Sequence, residues 1–531
     1  MTERRLRKEA GPVGLLYASL GGMIGSGWLF GSLHAAKLAG PLSMWSWIIG
    51  AVAVLLLALV YSELVTLLPK SGALVHLSHL SHGDLLGRIW GWILFFGYVT
   101  IAPVEVMAVL TYANNYLPGL VDPHSGLLTH LGFFAAIICL ALIVALNLLA
   151  IRWVLLINSA ATWWKIAIPV LTIGVLLSHA HHVENLHAAA GHYEFSGIFT
   201  AVASAGVIFS FFGFRQAIDL AGETDNPSRN IPLAVIGSVL IAALIYVGLQ
   251  FAFLLALDPA QIGNDWRSLH FTGVTGPLAA LSVSVGATWW AIVLYADAIA
   301  SPGGTGFIYT TASSRVTMAA GEMRTLPQSL AEVNGHGVPV RALIVTFLAG
   351  AIFFFPFPSW QKLVGYISSV TVLSYGLGPI VLLHLRRTLP DAPRPFRLRF
   401  VWLFAPAAFI ISNWIVLWTG LATANVLFGM IAVMFLAYTA YHYLFRAAPK
   451  GAFGWRQIAW VFPYFIGLWL LLVYGPASLG GNGALSFGED MLISAVFSLV
   501  IMGLALATGV RAEDSAEYLE QLISAPEQAA P

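Results

Sequence analysis

Four charged residues stand inside segments that are otherwise apolar: Glu105, Lys165, Arg215 and Asp297. A charge at bilayer depth is expensive, so it pairs with another group or faces a cavity. Two apolar segments are also broken by glycine where a membrane helix should be most regular. The first reads Gly21-Gly22-Met23-Ile24-Gly25-Ser26-Gly27-Trp28 and the second Ser210-Phe211-Phe212-Gly213-Phe214-Arg215. Unwound backbone is tolerated in lipid only where protein or a cavity covers it. Two such breaks, each in the first helix of a group of five, point to the substrate site of an inverted-repeat transporter. A small-residue packing face on a continuous helix is the other reading of Gly21–Gly27. Four glycines in seven residues exceed what packing needs, and the second break repeats the pattern.

The spacing of the charges suggests what each can do. Lys165 lies eleven residues in from Val154, roughly 16 Å along a helix, too deep to snorkel to an interface. Arg215 has two readings. Its guanidinium can grip a ligand carboxylate with two prongs, or pair internally with Asp219 at i,i+4. Glu105 and Asp297 can carry protons or neutralise Lys165 and Arg215. Asp297, Ser301 and Thr305 share one helix face. Glu63, nearer a helix end, reads as a structural partner of cytoplasmic-side groups. Phe212, beside the second break, is the preferred aromatic gate over a bound ligand; Phe214 is the alternative.

The elements that must position these residues follow from composition. The chain has 531 residues, 59% hydrophobic and 9% charged, against roughly 25% charged in a soluble domain. Apolar runs long enough to span a bilayer fall at 12–38, 41–67, 88–117, 131–151, 154–178, 197–221, 231–257, 277–313, 338–356, 362–385, 400–421, 424–445, 457–476 and 488–509. The fold class is an all-α integral membrane protein of about fourteen helices. With the N-terminus inside, 20 of the 25 Lys and Arg fall on the cytoplasmic side, which sets the orientation. Lys37, Arg267 and Lys362 fall outside. Merging two neighbouring helices would put later basic loops on the wrong side. Both termini are then cytoplasmic, with 510–531 a short polar tail.

Other features carry less. The net charge of +1 comes from topological loops and calls for no nucleic acid. Cys139 stands alone, so no intramolecular disulfide forms. The basic Met1–Gly11 precedes an apolar run too long for a cleavable signal. The loop 179–194 holds His179, His181, His182, His187 and His192. Histidine is a common metal ligand, but no carboxylate–His spacing of a metal site appears, which favours a solvated external loop. No motif calls for a cofactor. An embedded enzyme would need a convergent metal set or an activated nucleophile, and a channel a continuous polar stripe; neither pattern is present.

A set of short motifs resembles the amino acid–polyamine–organocation superfamily of permeases. They are Gly25-Ser26-Gly27, Glu63 with Pro69-Lys70-Ser71-Gly72, Gly213-Phe214, Ala221-Gly222-Glu223, Asn226-Pro227-Ser228-Arg229-Asn230-Ile231-Pro232, Ser314-Arg315 and Arg394-Pro395-Phe396. Each is weak alone; their order over about 400 residues makes the signal strong. Pro103-Val104-Glu105-Val106 and the helix count are most similar to the bacterial aspartate–proton symporter branch.

The resemblance implies a five-plus-five inverted repeat with broken helices 1 and 6. The core would be 12–385, with repeats 12–178 and 197–385 and four added helices in 400–509. It implies an amino acid substrate. Backbone N–H groups of Gly25, Ser26 and Gly27 would take its carboxylate. Carbonyls of Ser19–Gly22 and Ser210–Phe212 would take its ammonium. Gly22, Ile24, Gly213 and Arg215 complete the expected substrate set. Lys165 would hold its ammonium in the cation site that sodium fills in related transporters, beside Ser301 or Thr305. The expected activity is proton-coupled symport in the plasma membrane with an acidic substrate preferred. The alternative is exchange of neutral or other amino acids without net proton coupling.

Overall fold

The computed structural model describes residues 11–69, 73–122, 125–148, 151–179, 182–187, 194–263, 265–271, 276–322, 326–334, 338–445 and 454–524. Lys70-Ser71-Gly72, His181, His192, Arg4, Arg5, Arg7, Lys8, Arg324, Arg446 and Lys450 lie outside the described residues, and so does the end of the expected tail.

In hydrocarbon every backbone polar group must find a partner, which leaves helices or closed barrels. This chain takes the first solution. Its first half contains α1 Pro12–Met23, α2 Gly27–Ala39, α3 Ser43–Leu67, α4 Ala73–Val99, α5 Ile101–Ala113, α6 His130–Leu146 and α7 Ile151–Ser178. There follow α8 Gly197–Ser204, a 3-10 segment Phe209–Arg215, α9 Gln216–Asp219, α10 Pro227–Ala256, α11 Pro259–Ile262, α12 Pro277–Ser284 and α13 Thr288–Glu322. The remainder is α14 Val340–Ile352, α15 Trp360–Thr388, α16 Val401–Trp418, α17 Leu421–Phe445, α18 Trp455–Ile458, α19 Val461–Tyr474, α20 Phe487–Thr508 and α21 Ala512–Ser524. Among the described residues, nine helices are long and apolar enough to cross a membrane, or ten if the bent pair of the second break counts as one. Pro12–Met23, His130–Leu146, Thr162–Ser178 and Val340–Ile352 are shorter apolar helices. Each of the fourteen apolar runs coincides with helix.

Three boundaries differ from the hydropathy pattern. The helix expected at 88–117 starts at Ala73 and is kinked at Gly83, where φ is +82°. Its first turns hold His76, His79, His82 and Asp84, so hydropathy alone passes over them. The run 277–313 is interrupted between α12 and α13, with Gly286 at φ +85°. The segment 510–531 is not simply a polar tail, because α21 docks on the bundle. The Ser515 hydroxyl donates to Leu80 O at 3.0 Å, Val510 N donates to Ser81 O at 2.9 Å, and Tyr518 stacks on His79. Its amphipathic face makes that docking possible. Cys139 is half-buried in α6 and free.

The core is assembled by helices far apart in sequence. α3 packs on α10, α5 on α13, and α1 on the 3-10 segment of the second break. α15 runs through the centre against α3, α4 and α16. Leu244, Phe355 and Leu436 point outward, as apolar side chains do where the solvent is lipid.

One ion cluster ties the end of α3 to the segment after α15. Glu63 is fully buried and accepts two bonds from Arg386, from Nε at 2.6 Å and from Nη2 at 2.7 Å. It also accepts Leu398 N at 2.7 Å and faces Arg394 Nε at 3.4 Å. This is the structural partnership expected of Glu63. Removing one member of such a buried pair strands the other charge. Glu63→Ala should therefore destabilise the bundle by about 3–5 kcal/mol. The check is a lowered midpoint in thermal unfolding of the detergent-solubilised protein; an unchanged midpoint would leave the cluster without a structural role.

Candidate substrate and coupling site

The first break spans residues 24–26, between α1 and α2. Ile24 N still bonds to Leu20 O at 2.9 Å and Gly25 N to Met23 O at 3.0 Å. The last carbonyls of one half-helix and the first N–H groups of the next then need partners from elsewhere. Lys165 of α7 supplies one. Its ammonium donates to Gly21 O at 2.8 Å and to Thr305 Oγ1 at 2.7 Å. Glu105 of α5 supplies another, accepting Ser26 N on Oε2 at 2.8 Å. A cation at a helix C-terminus and an anion at a helix N-terminus are both favoured by the helix dipole. Both side chains are buried.

Asp297 lies one step behind the lysine. Its Oδ1 accepts Trp164 Nε1 at 2.9 Å and the Ser301 hydroxyl at 2.6 Å, and it is within electrostatic reach of Lys165. Of the two candidate neighbours on α13, Thr305 touches Lys165, whereas Ser301 is engaged by Asp297.

The second break bends the chain by 51° between Gly197–Ser204 and Phe209–Asp219. The turn lies at residues 205–208, where Gly206 has φ +88°. The glycine pattern pointed to Gly213, seven residues further on. Ser210–Arg215 is instead wound as a 3-10 segment, because Gly206 is the residue that takes the left-handed backbone. Gly213 has a different task. A Cβ there would run into Met23 N and Gly22 C, so the two broken helices meet backbone to backbone. A Cβ on Gly27 would meet the Ser210 hydroxyl.

Arg215 is buried at the end of the 3-10 segment. Its Nε stands 3.7 Å from Asp219 Oδ1, and the guanidinium lies 4.3 Å from the ring of Tyr98 and 5.5 Å from that of Tyr375. The Tyr98 hydroxyl bonds to Asp219. The internal pair with Asp219 is thus present. It leaves Arg215 Nε without a hydrogen bond, and aromatic faces hold much of the charge. Phe212 is buried, edge-on to Phe209 and Tyr375. Phe214 also packs on Tyr375.

Several site residues escaped the sequence reading. The Tyr246 hydroxyl of α10 lies 3.1 Å from both Met23 O and Ser210 O, joining the two breaks. Trp360 Nε1 donates to Ser26 Oγ at 2.8 Å, and its indole stacks on Phe30 and His34. It also lies against Gly206 at the second bend. A tyrosine at mid-depth in an apolar helix was a signal for Tyr246. Nothing separated Trp360 from the 17 other tryptophans. In the loop that follows α7, His182 Nδ1 and Glu184 Oε1 lie 2.9 Å apart.

Two discontinuous helices in contact, the backbone ends of the first break met by buried charges, define a secondary transporter rather than an enzyme. The chain belongs to the amino acid permease family, whose profile matches residues 11–469. It is 36% identical to the glutamate/serine transporter AimA of Bacillus subtilis, covering 99% of each chain. It is 32% identical to the aspartate-proton symporter of the same organism, over 93% of this chain and 95% of the relative. The branched-chain amino acid permease BcaP is 26% identical over 79% of this chain and 90% of its own. The protein is a multi-pass membrane protein.

The Gly22–Gly213 contact generates a test. Gly213→Ala must push the two breaks apart, since its new methyl would meet backbone rather than a movable side chain. Amino acid uptake into proteoliposomes should fall more than about tenfold, a loss of ~1.4 kcal/mol or more, while expression and monodispersity persist. Normal uptake by this variant would mean that the close approach is incidental.

Proposed function

We propose that this permease is a proton-coupled amino acid symporter of the plasma membrane, with its termini inside and an acidic substrate such as aspartate or glutamate preferred. The observation that carries the reading is the Lys165 ammonium, buried at the end of α1 on Gly21 O and Thr305 Oγ1. A fixed cation there takes the place of a bound metal ion and can change charge by releasing a proton. The substrate site lies at the two breaks and uses Gly22, Ile24, Gly25, Ser26, Gly27, Ser210, Phe212, Gly213 and Arg215. Glu105 and Asp297 take part in proton coupling, with Ser301 and Thr305 beside the cation site. The packing of α3 on α10 and of α5 on α13 supports two related repeats, 12–178 and 197–385. Helices within 400–509 are additions to that core, and substrate reaches the breaks by alternating access.

Acidic preference rests on Arg215 and on two relatives whose names include glutamate and aspartate. The Asp219 carboxylate near Arg215 marks the position that a substrate side-chain carboxylate would contest. A second reading keeps Arg215 as a structural partner of Asp219 and the two tyrosine rings, with neutral amino acids exchanged and no net proton movement.

Labelled amino acid uptake into proteoliposomes, with and without an imposed proton gradient, separates the two. Lys165→Ala should abolish accumulation against a gradient. A requirement for sodium, or continued accumulation by that variant, would refute proton coupling through Lys165. Arg215→Gln should shift preference from aspartate toward neutral amino acids by about 1.5–3 kcal/mol, the range for a hydrogen bond to a charged group. Competition among aspartate, glutamate, asparagine, leucine and arginine checks it. An unchanged ranking would assign Arg215 to structure.

A further inference from the structure

The N-terminus of α2 is already taken by a carboxylate. Glu105 shows no exposed surface. Its Oε2 accepts the Ser26 N–H at 2.8 Å, while its Oε1 has no hydrogen-bond partner. That free oxygen lies against Gly25, so closely that a Cβ on Gly25 would collide with it. The same Cβ would stand 3.0 Å from Thr305 Oγ1, the atom that accepts from Lys165. Two neighbouring backbone donors are committed, Gly25 N to Met23 O and Leu29 N to Ser26 O. Ser26 N offers one proton, and Glu105 holds it.

We propose that Glu105 is an internal stand-in for the substrate's α-carboxylate, displaced from Ser26 N whenever an amino acid binds and protonated as it leaves. The inference rests on the placement of the substrate at the breaks, and it adds a mechanism by which substrate and proton enter together. One N–H cannot serve two carboxylates, and two carboxylates held side by side resist joint ionisation. The displaced Glu105 loses its hydrogen bond and gains an anionic neighbour. It takes one proton from the aqueous phase to which the site is open, and no bond other than O–H is made. The titratable groups facing Glu105 are Lys165 on α7 and the Tyr246 hydroxyl on α10, with Asp297 on α13 beyond the lysine. Lys165 stays on Gly21 O during this exchange, so at that step the break keeps a cation at one end and exchanges its anion at the other.

The test is equilibrium binding at matched pH on both sides, without any gradient. Labelled L-aspartate, L-glutamate and L-serine are the probes, titrated on the purified protein at several pH values. Proton uptake on binding is read in weak buffer with an indicator dye. For the wild type, binding should weaken with rising pH by up to about tenfold per pH unit, the limit for one linked proton, and about one proton should be absorbed per amino acid bound. Glu105→Gln keeps a side-chain oxygen for Ser26 N but carries no charge. Its binding should be tighter than the wild type at the alkaline end, independent of pH there, and free of proton uptake. A wild-type slope retained in Glu105→Gln would overturn the proposal. So would wild-type binding without proton uptake, a measurement that stands even if the variant fails to fold. If none of the three probes binds the wild type, what fails is the assigned substrate class, and the Glu105 proposal falls with it.

Discussion

Everything around the site follows from one requirement: a helix broken inside a membrane must find partners for the backbone groups that the break exposes. Water cannot serve there, and an unpaired amide group in hydrocarbon costs several kcal/mol. This chain meets the requirement with charge. The carbonyl end of α1 is met by the Lys165 ammonium, and the amide end of α2 by the Glu105 carboxylate. An ammonium and a carboxylate at these two ends have the same charge layout as a free amino acid. The break is thus stabilised by the chain's own charges.

The surrounding helices are arranged to keep those two charges in place. Lys165 and Glu105 come from α7 and α5, and Thr305 from α13 lies beside both. Asp297, four residues from Ser301 on the same face, adds a negative charge behind the lysine and is itself held by Trp164. Tyr246 brings α10 into contact with both breaks at once. Motion of any one of these helices would alter the partners of the broken backbone. Other side chains close on the two breaks. At the first, the Trp360 indole caps Ser26 and stacks on Phe30. At the second, Arg215 rests among Asp219, Tyr98 and Tyr375. The Glu63–Arg386–Arg394 cluster fastens α3 to the segment after α15 and leaves the site itself untouched.

Relatives of similar length carry different substrate names, glutamate and serine for one and aspartate for another. Arg215 is the charged side chain at the second break of this chain.

Much of this was legible in the chain of letters. Helices were forced by apolar runs that can satisfy their backbone in lipid in no other way. The first break was visible in Gly21–Gly27 because so many glycines in one short stretch of a membrane helix mark backbone that other groups must approach closely. The buried charges Glu105, Lys165, Arg215 and Asp297 stood out because hydrocarbon rarely tolerates them. Glu63 announced its role by lying near a helix end with arginines on the same side. The partners of these groups were not legible. That Glu105 would face Ser26 instead of Arg215, that Thr305 and not Ser301 would meet Lys165, and that Trp360 and Tyr246 would close on the breaks depend on helix rotation and on contacts across more than 70 residues of chain. The second bend lies at Gly206, seven residues before the Gly213 that marked it in the sequence, because a glycine needed for close approach and one needed for a bend are spelled alike. Composition and spacing determined which residues could not be left alone in a membrane. Which of them found each other was decided only by tertiary packing, because hydrogen bonds act over about 3 Å and no local pattern carries distance across helices.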